Sequence, residues 1–506
     1  MNIKRAAGIA FFLVIVLNLG LVWCSRYVPT QDGPSHLANA VTLKNLVLPG
    51  EAGVEYSYRV NWRLFPNWAY YAVVAPLAAV APPHTAERIF LSGYVLGFAF
   101  AVYRLTKAAG ADTAAPALAA FPFALALPFH LGFFNYCLGV VIMLAALAYF
   151  WRRRDRVGWK EGLAVSAFAV ATYFCHIVPA VLLLAYLYHL LLCTSFSRRH
   201  AGAPASPRRA LFFWATLPAW VLPAHYATTA EAGRLSWIPP AELFYRLVRG
   251  WPLEIFHKGQ RLVGIFAVAV AAAAIIGVVA MVLSRRRRRP RGRDAFGVAA
   301  LASLALYFLF PNSGFGGGAI SVRLSVFAFL FIFVWAGDDF GRWGKRVALA
   351  AATALALSSW VGNLLCYRIL SRGVAEVVTA RPAVAAGSSF VFLDYGGPQH
   401  RVAVFRHAGA YFALDGDVLD LGNYEGRSRD FPVDYRGPSS RPPRTEIAAP
   451  DTYDANKYAA VVDYVITWEM PEPGPAAEFG KSYDVVFERP RLKVFKARRA
   501  AGKPPG

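Results

Sequence analysis

Apolar runs of membrane-spanning length recur along this chain, separated by short polar breaks. The clearest is "LVGIFAVAVAAAAIIGVVAMVL" (262–283); about 20 such residues cross the hydrocarbon core as a helix. Reading every run this way predicts eleven spans. They are 6–24, 88–106, 113–129, 138–151, a helical hairpin between Arg156 and Arg198 broken at "CHIVPA", 210–224, 261–284, 295–310, 322–337 and 346–366. The first run has the charged start and apolar middle of a signal peptide, but no small-x-small cleavage site follows. It is therefore expected to stay as an uncleaved span.

Two other apolar stretches have a different character. "PSHLANAVTLKNLVL" carries Leu37, Leu43 and Leu46 as a stripe and predicts an interfacial helix over about 34–47. Residues 67–81 begin among aromatics and are interrupted by Pro76, with Pro82 and Pro83 just beyond. That stretch is short for a span, so it is expected to lie on the outer face.

After residue 370 the pattern changes to short alternating or apolar runs: "SSFVFLD", "RVAVF", "DYVITW", "YDVVFE" and "LKVFKA". These predict strands, while the turn-rich "GNYEGRSRDFPVDYRGPSSRPPR" between them predicts irregular structure. The expected fold class is thus an α-helical polytopic membrane protein with a small C-terminal α/β domain. Its membrane domain covers 1–369, with a first outer loop at 25–87, and the outer domain covers 370–506. The closing "RRAAGKPPG" is expected to be disordered, and no repeat of fixed period is present.

Charge orients this arrangement. The 506 residues are 57% hydrophobic and only 16% charged, yet the net charge is +23. Much of that excess sits in clusters beside spans: Arg152–Arg154, Arg198 and Arg199, Arg208 and Arg209, and Arg285–Arg289. Such clusters mark the cytoplasmic side and argue against nucleic acid as a partner. They place the N-terminus and Lys107 inside and residues beyond 370 outside. The five cysteines all lie in or beside apolar segments, where they read as small packing groups rather than a disulfide or zinc framework.

With that topology, His36, His84, His130, His176, His225 and His257 fall on the outer side, and only His189 and His200 on the inner. A polar, outward-opening cavity is the expectation. In "TQDGPSHLANA" (30–40), Asp32 and Pro34 suit the start of a helix, and a side-chain cap by Asp32 is expected. An aspartate held there at the membrane edge is also placed to act as a base or metal ligand, with His36 one turn on. Glu87 and Arg88 lead an inward-running span and read either as a local ion pair or as ligand-binding groups. Asn135 in "HLGFFNYCLG" either satisfies a helix end or faces the cavity, and His176 either shapes a turn or binds. "PNSGFGGGAISVRLS" (311–325) offers Gly314 and Gly316–Gly318 as a backbone cradle for an anion. Arg323 follows, as a guanidinium for phosphate or a snorkelling anchor. The 225–260 loop adds Tyr226, Glu231, Arg234 and Trp237 as groups able to stack on or bond a sugar.

This layout resembles the GT-C superfamily of integral-membrane glycosyltransferases, which includes the protein O-mannosyltransferases and the aminoarabinose transferases. The points of likeness are a first span followed at once by an outer loop with an acid ("PTQDGPSH"), juxtamembrane helices, many spans and a soluble outer domain. The phrases "FHLGFFNYCLG" and "PNSGFGGGAISVRLS" also look like those of bacterial proteins of this type. The resemblance implies an inverting transfer, on the outer face of a bacterial cytoplasmic membrane, of a sugar from a polyprenyl-phosphate donor. The acceptor would be a glycan, lipid or protein of the envelope. It implies Asp32 as the catalytic acid of the first loop and Arg323 as a group for the donor phosphate. His36, Glu87, Arg88, Asn135, His176 and Arg234 complete the expected binding set. One departure is visible: many members carry paired acids in this loop, whereas Gln31 and Gly33 flank Asp32. A divalent metal therefore stays open. The competing reading is a non-catalytic transporter or assembly factor for envelope polysaccharide. Transporters place charges at mid-span, whereas the polar groups here cluster at outer ends.

Overall fold

In the computed structural model the described residues are 2–48, 57–200, 207–230, 233–284, 292–314, 317–436, 442–472 and 476–498. The Arg285–Arg289 run and residues 499–506 lie outside them. Each stretch predicted as a span is helical. Among the described residues six helices are both long and apolar enough to cross a membrane, including Ile3–Cys24, Pro83–Ala108, Phe134–Arg153 and Lys258–Leu283. The last has a mean hydropathy of 2.9 with only 17% of its apolar window buried. Side chains such as Leu262, Ile276 and Leu283 point outward, an arrangement stable in lipid and costly in water. The chain is a multi-pass membrane protein.

Two predicted spans are not single α-helices. Residues 115–130 run as Ala115–Ala120, a 3₁₀ turn Phe121–Leu125 and Leu127–His130. Residues 207–229 likewise run as Pro207–Thr216, a 3₁₀ turn Leu217–Trp220 and Val221–Thr229. Prolines cause both breaks: Pro122 and Pro128 in one, Pro218 and Pro223 in the other, each removing an amide donor from the helical ladder.

The chain divides into two compact units. The first comprises Met1–Leu21, Ser92–Phe129 and Phe133–Leu364. Its helices pack through close contacts; a Cβ on Gly139 would stand 3.1 Å from Pro179 Cγ. The loop before Ile320–Ala336 closes on itself, with the amides of Gly314 and Gly317 each donating to the other's carbonyl at 2.9 Å.

The second unit comprises Val22–Leu91, His130–Gly132 and Leu365–Gly506. It contains a helix we label α1 (Gly33–Val47) and a 12-residue helix α2 (Ala69–Val80). The second matches the non-spanning apolar stretch read from the sequence. Helix α1 is helical over the stretch read from its stripe, and it is packed against protein along most of its length. Ten of its residues, from Gly33 through Val41 plus Leu43, are buried. Alanines and serine on its first two turns let the 3₁₀ stretch Ala408–Asp415 and helix α2 approach closely.

Among the described residues seven strands form two sheets: β1 (Tyr58–Val60), β2 (Ser389–Asp394), β3 (Leu419–Asp420), β4 (Val433–Tyr435), β5 (Tyr464–Trp468), β6 (Tyr483–Arg489) and β7 (Leu492–Ala497). The larger sheet has the order β3-β2-β5-β7-β6, parallel through β3, β2 and β5 and antiparallel beyond. Strands β2 and β5 are buried on both faces, which explains why they read as unbroken apolar runs. Val391, Leu393, Val465, Tyr483 and Phe495 form part of the core. "RVAVF" (401–405) is not a strand. It is buried, but side chains take its amides: Ala403 N donates to Gln31 Oε1 and Val404 N to Gln399 Oε1. Within the stretch read as irregular, Val433–Tyr435 pairs antiparallel with Tyr58–Val60, and the rings of Tyr58 and Tyr435 stack at 4.8 Å.

Candidate active site

Backbone pairing fixes Asp32 before its side chain does anything. Gln31 N donates to His130 O at 2.9 Å and Asp32 N to Leu131 O at 3.3 Å. The strand-like contact closes on Gly132, whose φ of +87° and missing Cβ let it lie against the Asp32 backbone. Asp32 occupies the N-cap position of α1, and Pro34 the first turn, as the sequence predicts. The expected side-chain cap, however, does not form. With φ −96° and ψ −9°, Asp32 is already in the helical region, so its carboxylate turns away from the helix amides. It receives Gln31 Nε2 at 3.1 Å and faces His407 Nε2 across 3.6 Å, wider than a hydrogen bond.

One turn along α1, His36 is enclosed by acceptors. Its Nε2 meets Gly132 O at 3.0 Å, and its Nδ1 lies 2.8 Å from both Glu425 Oε1 and Tyr71 Oη. Tyr71 donates its hydroxyl to the other Glu425 oxygen. Burial disfavours the imidazolium, but Glu425, Asp32 and the Gly132 carbonyl outweigh it and hold His36 above its ordinary value. Acceptors at both ring nitrogens make the doubly protonated form the one that fits. Glu425 itself is 0% exposed. Asn423 orients it, accepting Glu425 N at 3.1 Å. Asn423 in turn makes a reciprocal amide pair with Asn39 of α1, at 2.7 and 3.0 Å.

Asp32 and His407 are the open end of this cluster, with side chains 14% and 19% exposed. Burial raises the Asp32 carboxyl above its usual range, and the His36 charge opposes that rise. Burial, with Arg406, Arg444 and His36 adding to it, pushes His407 down to about 3, so its ring is neutral. The His407 ring lies 5.0 Å from that of Tyr424, and the Arg444 guanidinium covers Tyr424 at 5.0 Å. The arrangement is a carboxylate beside a neutral imidazole, flanked by aromatic surface and two cations. It can accept a proton from a hydroxyl and bind a polar, ring-shaped ligand.

The other candidates divide between the two units. Glu87 and Arg88 belong to the second unit, but they do not act as a local ion pair. Adjacent helix positions face different ways: Glu87, buried, accepts from Tyr70 Oη at 3.5 Å. Arg88 donates to Ser25 O at 2.7 Å and covers the Trp23 ring. The Tyr70 ring lies 5.7 Å from His36, so Glu87 stands behind the same cluster. Asn135, His176, Arg234 and Arg323 belong to the first unit. His176 sits at the junction of Trp159–Cys175 and Ile177–His200. Its Nε2 is 3.0 Å from Arg323 Nη1. The Arg323 guanidinium lies 4.2 Å over Phe133 and 5.3 Å over Tyr136, buried rather than snorkelling. Asn135 is buried in the first turn of Phe134–Arg153, whereas Arg234 is exposed. In the glycine loop the amides of Gly314 and Gly317 are used within the loop, and Gly316 lies outside the described residues. Tyr226 packs with Tyr173 and Ala180 in the core; Trp237 is exposed, and Glu231 lies outside the described residues. Among the described residues no group of three or more metal-ligating side chains converges.

Glu425, His407, Tyr71, Asn423 and Tyr424 are absent from the set inferred from sequence. Four of them come from 407–425, where turn residues hide the register. The available signal was chemical: "NYE" between glycines puts an acid, an amide and an aromatic inside a segment otherwise suited to solvent.

No protein-family model matches the chain, and no curated protein matches it in sequence. Solved structures match it in fold. The arabinofuranosyltransferase AftD from Mycobacteria superposes with a TM-score of 0.55 at 12% identity, over 99% of this chain. The chain spans only 40% of that protein's length. ArnT from Cupriavidus metallidurans bound to undecaprenyl phosphate matches with a TM-score of 0.50 at 12% identity, covering 99% of this chain and 98% of that one. Its apo structure gives 0.52 at 13% identity, covering 97% and 98%. Both proteins are GT-C glycosyltransferases, and the fold of this chain is the GT-C fold.

Proposed function

From that fold we propose that the chain is a membrane glycosyltransferase that moves a sugar from a polyprenyl-phosphate donor to an envelope acceptor on the outer face of the cytoplasmic membrane. The observation that carries this reading is the pairing of a half-open Asp32 with a neutral His407. A hydroxyl oxygen about 2.8 Å from each spans the 3.6 Å gap between them. In that position Asp32 takes the hydroxyl proton as the acceptor oxygen bonds to the sugar's anomeric carbon. The bond from that carbon to the phosphate oxygen breaks, and the electron pair leaves with the polyprenyl phosphate. The displacement is single and inverts the anomeric centre.

The leaving phosphate requires positive charge. Arg406 is exposed and acts electrostatically on Asp32, which makes it the candidate within the second unit. Arg323, planar and braced by His176 and Phe133, is the candidate within the first. His407 and Tyr424 offer the flat surface on which an acceptor sugar stacks. Eleven spans with an inner N-terminus would put residues beyond 370 outside, where polyprenyl-linked donors are used.

The test is transfer from radiolabelled undecaprenyl-phosphate sugars to envelope acceptors in proteoliposomes. Asp32→Asn keeps size and removes the base, so transfer should fall by about a hundredfold or more while the purified protein stays folded. Unchanged transfer in Asp32→Asn would sink the reading. Donor binding without turnover in the unaltered chain would favour a non-catalytic role in envelope polysaccharide assembly.

A further inference from the structure

Asp32 stands alone among its sequence neighbours, but a second carboxylate reaches its cluster from the far part of the chain. Glu425 is fully buried, so it does not meet substrate. Nor is it explained as a stabilising device, because a buried ion pair returns about what its desolvation costs. Its geometry is directional. One oxygen lies 2.8 Å from His36 Nδ1, and the other receives the Tyr71 hydroxyl. The opposite side of the His36 ring rests on Gly132 O at 3.0 Å. Gly132 is the residue whose backbone lies against Asp32. His36 N also donates to Asp32 O at 3.0 Å, so the imidazolium and the carboxylate are held one helical turn apart at the start of α1.

Resting on the glycosyl-transfer reading above, we infer that Glu425 is a positioning residue: acting through His36, it keeps Asp32 ionised and oriented as the base. The charged and titratable groups facing each member are on hand. Around His36 these are Glu425, Asp32 and Tyr71, with Glu87 behind Tyr70. Around Asp32 they are His36, His407, Arg406, Glu425 and Tyr424. Burial favours the neutral acid at Asp32, and the His36 charge is the largest influence opposing it. Glu425 also repels Asp32 directly, but more weakly than His36 attracts it. Removing Glu425 therefore acts mainly by letting His36 lose its proton, which leaves Asp32 without its cation.

The experiment needs no substrate, so its failure is separable from failure of the transfer reading. The full chain in detergent is treated with a hydrophobic carbodiimide, which modifies protonated carboxyls, and labelling of Asp32 is followed by peptide mass spectrometry against pH. Glu425→Gln should move the Asp32 labelling curve about one unit upward, raising labelling about tenfold at a fixed pH above the original midpoint. His36→Gln should do the same, and the double variant should add nothing further, because both changes remove one interaction. If Glu425→Gln does not yield folded protein, Tyr71→Phe replaces it. That change removes one hydrogen bond to Glu425 and keeps the charge, and it should shift the curve in the same direction by about twofold in labelling. A Glu425→Gln or Tyr71→Phe curve that superimposes on the original overturns the inference, as does full additivity in the double variant. An upward shift alongside absent transfer would uphold the relay and reject only the transfer reading.

Discussion

A Cβ built on Gly132 stands 2.8 Å from the Cβ of Asp32 and 2.9 Å from its backbone nitrogen. The residue also sits at φ +87°, where a side chain is strained in any case. Gly132→Ala should therefore displace the Gln31–Asp32 segment and the carbonyl that receives His36. We expect a stability loss of about 1–3 kcal/mol and a fall in transfer larger than that loss explains. Thermal unfolding in detergent and transfer rates on the folded fraction check the two parts separately.

The two histidines of the cluster titrate in opposite senses. His36 is held above its ordinary value, so its stabilisation is complete below about pH 6.5 and is lost as pH rises through the folded value. His407 is pushed down to about 3. The unfolded chain then binds the extra proton, and stability is lost as pH falls below about 6.5. His407→Gln should flatten the acid side of the stability profile, and His36→Gln should lower stability at acid pH while converging with the original at alkaline pH. Melting temperatures between pH 4 and 9 would show this.

Asp394 ends strand β2 and is pushed up to about 7, by burial first and then by Glu469. A carboxyl raised this way costs stability as pH climbs from about 4 toward 7. Asp394→Asn fits the same space without the charge. It should be more stable than the original chain at pH 8 and indistinguishable near pH 4, measured by the same melting curves.

Arg323→Lys preserves charge but not the flat guanidinium that lies on Phe133. Losing that face and its contact to His176 should cost roughly 1–2 kcal/mol. A variant as stable as the original would show that the charge alone matters there.

Topology gives a further check. On a cysteine-free background, a cysteine at Lys107 should resist a membrane-impermeant thiol reagent added to intact cells. One at Arg444 should react. Labelling at Lys107 from outside would invert the arrangement of the first spans.

The helices were legible because membrane spans announce themselves by length and apolarity, and the basic clusters set off their ends. Four of the six tail strands were legible, β2 and β5 for a related reason: doubly buried strands such as Phe390–Leu393 are apolar throughout. "RVAVF" was misleading because a buried irregular segment has the same composition as a buried strand when side chains such as Gln31 and Gln399 take its amides. Asp32 and His36 were visible as polar residues at a helix start. Glu425 was not, because its role depends on a fold that returns residue 423 to residue 39, and no local pattern encodes such a contact. The cap expected of Asp32 failed for a similar reason: the pairing of Gln31 and Asp32 with residues 130 and 131 rotates the backbone before the helix begins.

The pairing of Asn39 with Asn423 bridges a separation of 384 residues, and Glu425 completes the cluster two positions later. A chain made from its N-terminus thus has Asp32 long before its supports exist. Until the last fifth of the polypeptide has been synthesised, His36 lacks Glu425 and the imidazole of residue 407 is not yet in place. On the proposed function, a product truncated before residue 407 would hold Asp32 without either support and should transfer no sugar.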